Sequence, residues 1–431
     1  MRKVLLVAYH FPPMGGGGVL RALKFAKYLP QNGYRPIVLT ADRGGWFSAD
    51  DSLTEGDWFK KIPVFRVSSP AVERLIRVFT PTKRDRSAWD RLRAAYYRLK
   101  YFMAPDPMIS WYFRSKRIAL EIAKREKIDI VYTTSPPHSE HLMGIYLKEN
   151  ADLPWVADFR DAFVGDPNLA GSAKGKIKRS IFSLYEKKIL AHCDHVVTAT
   201  NPIRDDFIRR FGSGIKTKVT TITNGFDGED FPMVDRRRRN DRFTITYTGA
   251  FLGKRSPYYF IKALKALLIE YPEVRGLIRV ILAGTFLERD RALFRDLMLR
   301  DVLTIKDFVS YKESLEYQCR SDVNLLVIGP KETEGGNQIF TGKIFEYMFA
   351  KRPILALVPR GVARDLIEEG KLGVTVDSDD VMGISNTLLE LFRMWQRQEL
   401  KLNPSPHLLK RYDRRELTRQ LAGVFDGVLG P

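Results

Sequence analysis

The chain has 431 residues, with 71 Lys and Arg against 51 Asp and Glu for a net charge of +20, and 44% of its residues are hydrophobic. That length exceeds what one core usually organises, and the apolar content excludes a disordered chain, so two folded domains of similar size are expected. The longest apolar runs, VLLVA and ILALV, are far shorter than the roughly 18 residues of a membrane span.

The basic start followed by a short apolar run and Pro12-Pro13 suits a buried strand better than a signal peptide. Cys193 and Cys319 are too few for a disulfide framework or a thiolate metal site. A cytoplasmic protein is expected.

Short β-branched runs at 4–8, 36–40, 64–67, 128–134, 155–157, 196–199 and 219–223 alternate with longer amphipathic stretches. Strand, helix, strand repeats of this kind build a mainly parallel sheet through crossovers. The first break falls after 4–8, in FPPMGGGGVLRALKFAKYL, where four glycines separate the strand from a helical pattern. Each glycine forfeits about 1 kcal/mol of backbone entropy relative to alanine. The loop therefore either turns tightly or admits a group against its backbone, and its amides at Gly16, Gly17 and Gly18 suit an anion at a helix N-terminus. It is not the dinucleotide fingerprint, because Arg21 or Leu20 stands where the third glycine belongs, and no P-loop is present. A nicotinamide enzyme, suggested by Asp42 after the second strand, is disfavoured accordingly.

Residues 71–127 hold 15 Lys and Arg against 6 Asp and Glu, interleaved with aromatics. Within them WDRLRAAYYRLKYFM places Trp89, Leu92, Tyr96, Leu99 and Met103 at helical spacing between basic residues. This is either an ordinary packed helix or a face that docks on anionic lipid.

His138 and His141 follow the 128–134 strand, where ligand-contacting residues of such sheets belong. His138 can bond a substrate; the pair lacks an evident third metal ligand. In ADFRD, Arg160 suits an acceptor phosphate and Asp161 an acceptor hydroxyl, although the two can also pair with each other. The run His192 to His195 has metal-like composition but reads as entry to the next strand, whose adjacent residues point apart.

The charged segment DRRRRND at 235–241 interrupts the pattern and is the expected linker. Beyond it, strands are expected at 244–247, 278–283, 303–309, 323–328, 353–358 and 374–376. GGNQIFTGKIFEYMFAKRPILAL then leads from a polar loop into a helix, offering Thr341, Gly342 and Lys343 to a diphosphate and Glu346, one turn on, to a ribose diol. The tail from 413 has helical periodicity and can pack on either domain.

FPPMGGGG with Arg21, TTSPPHSEH, WVADFRD, ITNGFD, YTGAFLGKRS and TGKIFEYMFAKRPILA occur in an order, and over nearly the whole chain, that resembles the family 4 retaining glycosyltransferases, also called group 1. The resemblance implies an α/β GT-B fold: two facing, doubly wound Rossmann-like domains with an interdomain cleft. The expected boundaries are 1–234 for the acceptor domain, 235–242 for the linker, 243–412 for the nucleotide-sugar domain and 413–431 for a C-terminal helix. It implies transfer of a sugar, with retention, from a nucleotide-diphosphate donor to a saccharide, expected to be lipid-linked, in cell-surface polysaccharide synthesis. No metal or cofactor is implied.

Residue by residue, Glu346 matches the second of two family glutamates seven residues apart, the one on the ribose, and Gln338 stands where the first would engage the sugar. Lys254 or Arg255 fits the lysine of the cation pair on the diphosphate, and Ala250 stands at the arginine position. Gly249, Thr341, Gly342 and Lys343 complete the donor set with the glycine loop. His138, Arg160 and Asp161 are the expected acceptor contacts, and Asp161, His138 and Lys254 the expected catalytic groups. The competing reading is a basic, noncatalytic scaffold for nucleic acid or another polyanion, against which no RNA- or DNA-binding module is identifiable. The preferred reading has no nucleic-acid partner and places the enzyme in the cytoplasm, with peripheral binding to the anionic inner face of the membrane.

Overall fold

The structure is a computed structural model that describes residues 1–42, 49–69, 105–164, 173–233, 240–251, 255–329 and 341–430. Thus Lys254, Gln338, the 89–103 stretch and most of the expected linker lie outside the described residues. The chain divides into two compact units, Met1–Thr223 with Leu417–Pro431, and Asn224–Glu416.

The first unit is built on a seven-stranded parallel sheet in the order β3-β2-β1-β4-β5-β6-β7. Its strands are β1 (Arg2–Val7), β2 (Tyr34–Ala41), β3 (Val64–Val67), β4 (Ile130–Ser135), β5 (Trp155–Phe159), β6 (His195–Thr198) and β7 (Val219–Thr221). Helices cover such a sheet on both faces, so its central strands can be buried along their whole length rather than on alternate residues. Val4 through Val7 are all fully buried, as are Trp155, Val156 and Ala157. Full burial of a side chain of this size contributes about 1.5–3 kcal/mol.

The second unit repeats the plan with six parallel strands in the order β10-β9-β8-β11-β12-β13. These are β8 (Phe243–Thr248), β9 (Ile278–Ala283), β10 (Leu303–Lys306), β11 (Val323–Val327), β12 (Ile354–Leu357) and β13 (Gly373–Val376). Each strand expected from the sequence is present. On one face of this sheet Leu264, Leu267, Leu388 and Trp395 pack over Phe243, Ile245 and Leu325; on the other the Lys343–Ala350 helix buries Ile344, Phe345 and Tyr347 against Leu326 and Ala356.

The tail forms the Arg414–Leu429 helix, most of which belongs to the first unit. Phe425 packs edge-on against Tyr34, and Asp426 accepts a 2.6 Å hydrogen bond from the Tyr34 hydroxyl. Among the described residues, no helix is long and apolar enough to cross a membrane.

Packing is close where the His141–Ala151 helix crosses β5. A Cβ on Gly144 would sit 1.9 Å from Cε2 of the fully buried Trp155, whose ring nitrogen donates to Thr133 Oγ1 at 2.9 Å. Gly144→Ala is expected to destabilise the first unit by about 2–3 kcal/mol, the usual cost of overpacking a core. Urea unfolding measures this, and an unchanged midpoint would contradict the close approach.

In both sheets the strand order reverses once, between β1 and β4 and between β8 and β11. Ligands of open α/β sheets bind outside the carboxyl ends of the strands flanking such a reversal. Each unit therefore has one place where its chemistry is expected.

Candidate active site

In the first unit, β1 runs into Tyr9, His10 and the glycine loop, and β4 runs into Ser135, Pro136, Pro137 and His138. Gly16 has φ +98°, a region that side chains rarely adopt, so glycine is required there by the backbone itself. Gly17 is different. It is exposed, its φ is ordinary, and a Cβ built on it meets nothing within 4 Å. Among the described residues no atom near it and no backbone strain demands the glycine.

A buried ion pair anchors this loop. Arg21, 1% exposed, grips Asp158 with Nε to Oδ2 at 2.9 Å and Nη2 to Oδ1 at 2.7 Å, and its Nη1 donates to the Thr223 carbonyl. Tyr132 and Thr134 add hydroxyl bonds to Asp158 Oδ2, each 2.7 Å. Burial works against the guanidinium's charge, but Asp158 outweighs it and holds the pKa above the ordinary arginine value. The start of the Gly17–Tyr28 helix is thereby fixed to β5, which ends one residue before Arg160.

Arg160 crosses from β5 to both neighbouring loops. Its Nε donates to the Ser135 carbonyl at 3.0 Å, Nη2 to the Pro136 carbonyl and Nη1 to the Gly18 carbonyl. The guanidinium thus ties the glycine loop to the β4 loop. Asp161 is exposed just after it.

His138 stacks on Phe163 with ring centroids 4.0 Å apart, and its Nδ1 is buried without a partner. Burial first, then His141 and Arg160, push its pKa well below the usual histidine value. His141, bonded through Nδ1 to Thr133 Oγ1 at 2.7 Å, is lowered to about 3 by burial and Arg160. His10 is lowered to about 4 by the same two causes.

Two carboxyl groups hold the His138 loop from behind. Asp106 accepts from the Ser139 amide at 2.7 Å and hydroxyl at 2.8 Å, and burial raises its pKa against those bonds. Glu140 accepts from the Tyr9 amide at 2.8 Å through Oε1, while Oε2 is buried unpaired. Burial pushes this carboxyl well above its ordinary range.

The unfolded chain takes up the histidine protons near pH 6.5. The stability contributed by keeping His141 neutral is complete above that pH and is lost as pH falls toward about 3. At about pH 5 both His138 and His141 are expected to show neutral-imidazole nitrogen shifts by NMR. A protonated ring at that pH would contradict the packing around it.

In the second unit, β8 ends at Thr248 and Gly249, and the Lys343–Ala350 helix starts beside it. Gly249 has φ +124°, and a Cβ there would lie 2.7 Å from both Cε and Nζ of Lys343. The glycine therefore makes room for the lysine, whose ammonium sits 5.0 Å above the centre of the Tyr247 ring. Thr341 and Gly342 precede it at the helix start, where amides lack intrahelical partners. Arg255 is half-buried.

One turn beyond Lys343, Glu346 is 9% exposed and accepts from Gln318 Nε2 at 3.0 Å through Oε2. Gln318 also reaches Thr248 Oγ1 at 3.0 Å, so it joins β8 to the helix. Burial raises the Glu346 pKa, with Gln318 and Lys343 opposing. The arrangement offers an ammonium and amides to an anion, and a carboxylate to hydroxyl donors one turn away.

The structure therefore places Gly16, Gly17, Gly18, His138, Arg160 and Asp161 around the first reversal point, and Gly249, Thr341, Gly342, Lys343 and Glu346 around the second. Among the described residues no three His, Cys, Asp or Glu side chains gather in metal-binding geometry. His192 bonds the Lys188 carbonyl and His195 the Thr220 hydroxyl, while the buried Cys193 thiol is pushed up to about 12.

Residues 71–230 match the model of Glycosyltransferase Family 4. Two strains of Mycobacterium tuberculosis supply glycogen synthases that are 22% identical over 275 residues, covering 63% of this chain and 59% of theirs. The chain thus aligns with about three-fifths of the length of those curated relatives. Among solved structures, Anabaena Alr3699/HepE in complex with UDP-glucose aligns with a TM-score of 0.64 at 16% identity, covering 99% of this chain and 100% of that one. S. aureus TarM, in a complex with UDP, aligns at 0.62 and 10% identity over the whole of both chains. WaaG, described as a glycosyltransferase of lipopolysaccharide biosynthesis, aligns at 0.61 and 14% identity over 98% of this chain and all of its own.

Two parallel-sheet α/β units with these neighbours define the GT-B fold, as the motifs implied.

Proposed function

We propose that the protein takes a sugar from a nucleotide-diphosphate donor held by the second unit and delivers it, with retention of anomeric configuration, to a saccharide acceptor held by the first. The observation that carries this reading is the pairing of Lys343 and Glu346 on one helix at the β8/β11 reversal, with Gly249 clearing space for the lysine.

Breaking the bond between the anomeric carbon and the diphosphate oxygen puts negative charge on the leaving oxygens and oxocarbenium character on the sugar. The Lys343 ammonium and the amides of Thr341 and Gly342 meet that growing charge, and fixed donors in a preorganised site need no reorganisation during reaction. Glu346 takes the two ribose hydroxyls. The acceptor oxygen forms the new bond to the anomeric carbon, and its proton passes to the departing phosphate. Asp161 orients that acceptor hydroxyl, while the neutral His138 bonds the sugar or acceptor. Lys254 and Gln338 belong to the same reading as donor contacts.

The acceptor is lipid-linked in this reading, and the excess of Lys and Arg in 71–127 draws the enzyme to an anionic membrane surface. The deciding experiment is release of nucleotide diphosphate from a panel of sugar nucleotides, in EDTA, with acceptor lipid presented in anionic vesicles. Turnover yielding a product with the donor's anomeric configuration by proton NMR is expected. An inverted product would overturn retention, and no turnover with any donor would overturn the activity.

A further inference from the structure

A cavity of about 410 Å³ opens in the second unit at the carboxyl end of β11, lined by Ser256, Tyr258, Tyr259, Arg289, Asp290 and Ser378 among others. Its size is that of a small-molecule site. Asp290 is fully buried. Its Oδ1 accepts from the Ser256 hydroxyl at 2.6 Å and lies 3.7 Å from Arg289 Nε, yet Oδ2 has no hydrogen-bond partner. A buried carboxylate oxygen left unpaired is costly, so its persistence on a cavity wall points to a ligand that brings N–H groups to it.

The nucleobases differ in what they offer such a group. Guanine presents N1–H and the exocyclic amino group side by side, matching the two oxygens of one carboxylate, and its O6 and N7 accept from a guanidinium. Uracil presents one N–H flanked by carbonyls that a carboxylate repels. Adenine sets a bare ring nitrogen beside its amino group. Acceptor and guanidinium are neighbours on this wall, Asp290 beside Arg289, which is the guanine pattern.

We propose that this cavity receives the base of the donor nucleotide and that Asp290 selects guanine, making the donor a GDP-sugar. The inference rests on the reading of the second unit as the donor-binding half. Tyr258 and Tyr259 supply aromatic surface for the purine, and Asp290 accepts its N1–H and amino protons.

Titration calorimetry of the full chain with GDP, UDP and ADP tests this. GDP is expected to bind at least about tenfold tighter than the other two, the scale of one good bidentate base contact. Asp290→Asn keeps an oxygen for Ser256 but turns an amide N–H toward the base; it is expected to remove the GDP preference, by weakening GDP and by relieving the carboxylate's repulsion of the acceptor atoms of UDP and ADP. UDP or ADP binding as tightly as GDP to the unaltered protein would overturn the selection of guanine, whether or not the variant folds. A GDP preference that survives Asp290→Asn would overturn the role of Asp290. Absence of binding by all three would overturn the donor-binding reading itself, and this inference with it.

Discussion

Arg21→Met is expected to destabilise the first unit by about 3–5 kcal/mol, because it removes the cation and leaves Asp158 charged and fully buried. Methionine fills much of the volume but gives up the guanidinium's position over the Phe25 ring, so the loss reports mainly the charge rather than a cavity. The Tyr132 and Thr134 hydroxyls still donate to Asp158 but cannot neutralise it. For a unit of this size the melting temperature is expected to fall by roughly 10 °C. Arg21→Met combined with Asp158→Asn should lose less than Arg21→Met alone, since the amide carries no charge and its oxygen still accepts from the two hydroxyls. The coupling in that double-mutant cycle is the measurement that matters. Additive losses would mean that the carboxylate does not depend on Arg21, contrary to the two short bonds between them.

The same pair shows where the sequence stops speaking. Strands such as β1, β9 and β12 are legible because a strand buried on both faces can be largely apolar and β-branched, while β4 and β8 carry threonines among their apolar residues and are read from their place in the strand–helix alternation. The pairing of residues 137 positions apart leaves no such local trace. A signal did exist: Arg21 shares a helix face with Phe25, and a cation on a buried stripe requires a carboxylate somewhere opposite it. Arg160 was legible as a residue after a strand, but its three bonds to loop carbonyls depend on where the Gly18 and Ser135 loops meet. Asp106 and Gln318 carried no motif at all, and Glu140 stood in TTSPPHSEH with no role assigned to it; each matters by fixing a neighbour. Asp290 reads in sequence as a solvated residue at a helix start; only the surrounding packing makes it a buried wall of a cavity. By contrast, Lys343 and Glu346 were legible as a pair, because helical spacing alone puts them one turn apart at a helix N-terminus.

Lys343→Met is expected to lower kcat/KM for the donor by a factor of 10² to 10³, the loss that follows from removing one fixed charge or donor aimed at a developing anion. The effect should fall mainly on kcat, since charge on the leaving oxygens grows between the bound donor and the transition state. Secondary structure should be unaffected, because Lys343 stands at the first position of its helix and its ammonium makes only an aromatic contact within the described residues, over Tyr247. The variant has a second readout. Lys343 opposes the effect of burial on Glu346, so removing the cation should raise that carboxyl further and move the acidic limb of the pH–rate profile to higher pH. Gly249→Ala reaches the same lysine by another route: the added Cβ would meet Cε and Nζ at 2.7 Å and drive the ammonium away without removing it. Its φ of +124° adds backbone strain, so a loss of kcat in this variant is read beside its melting temperature. If Lys343→Met turns over donor as the unaltered protein does, the lysine is a packing residue over Tyr247 and the diphosphate must be held by other groups.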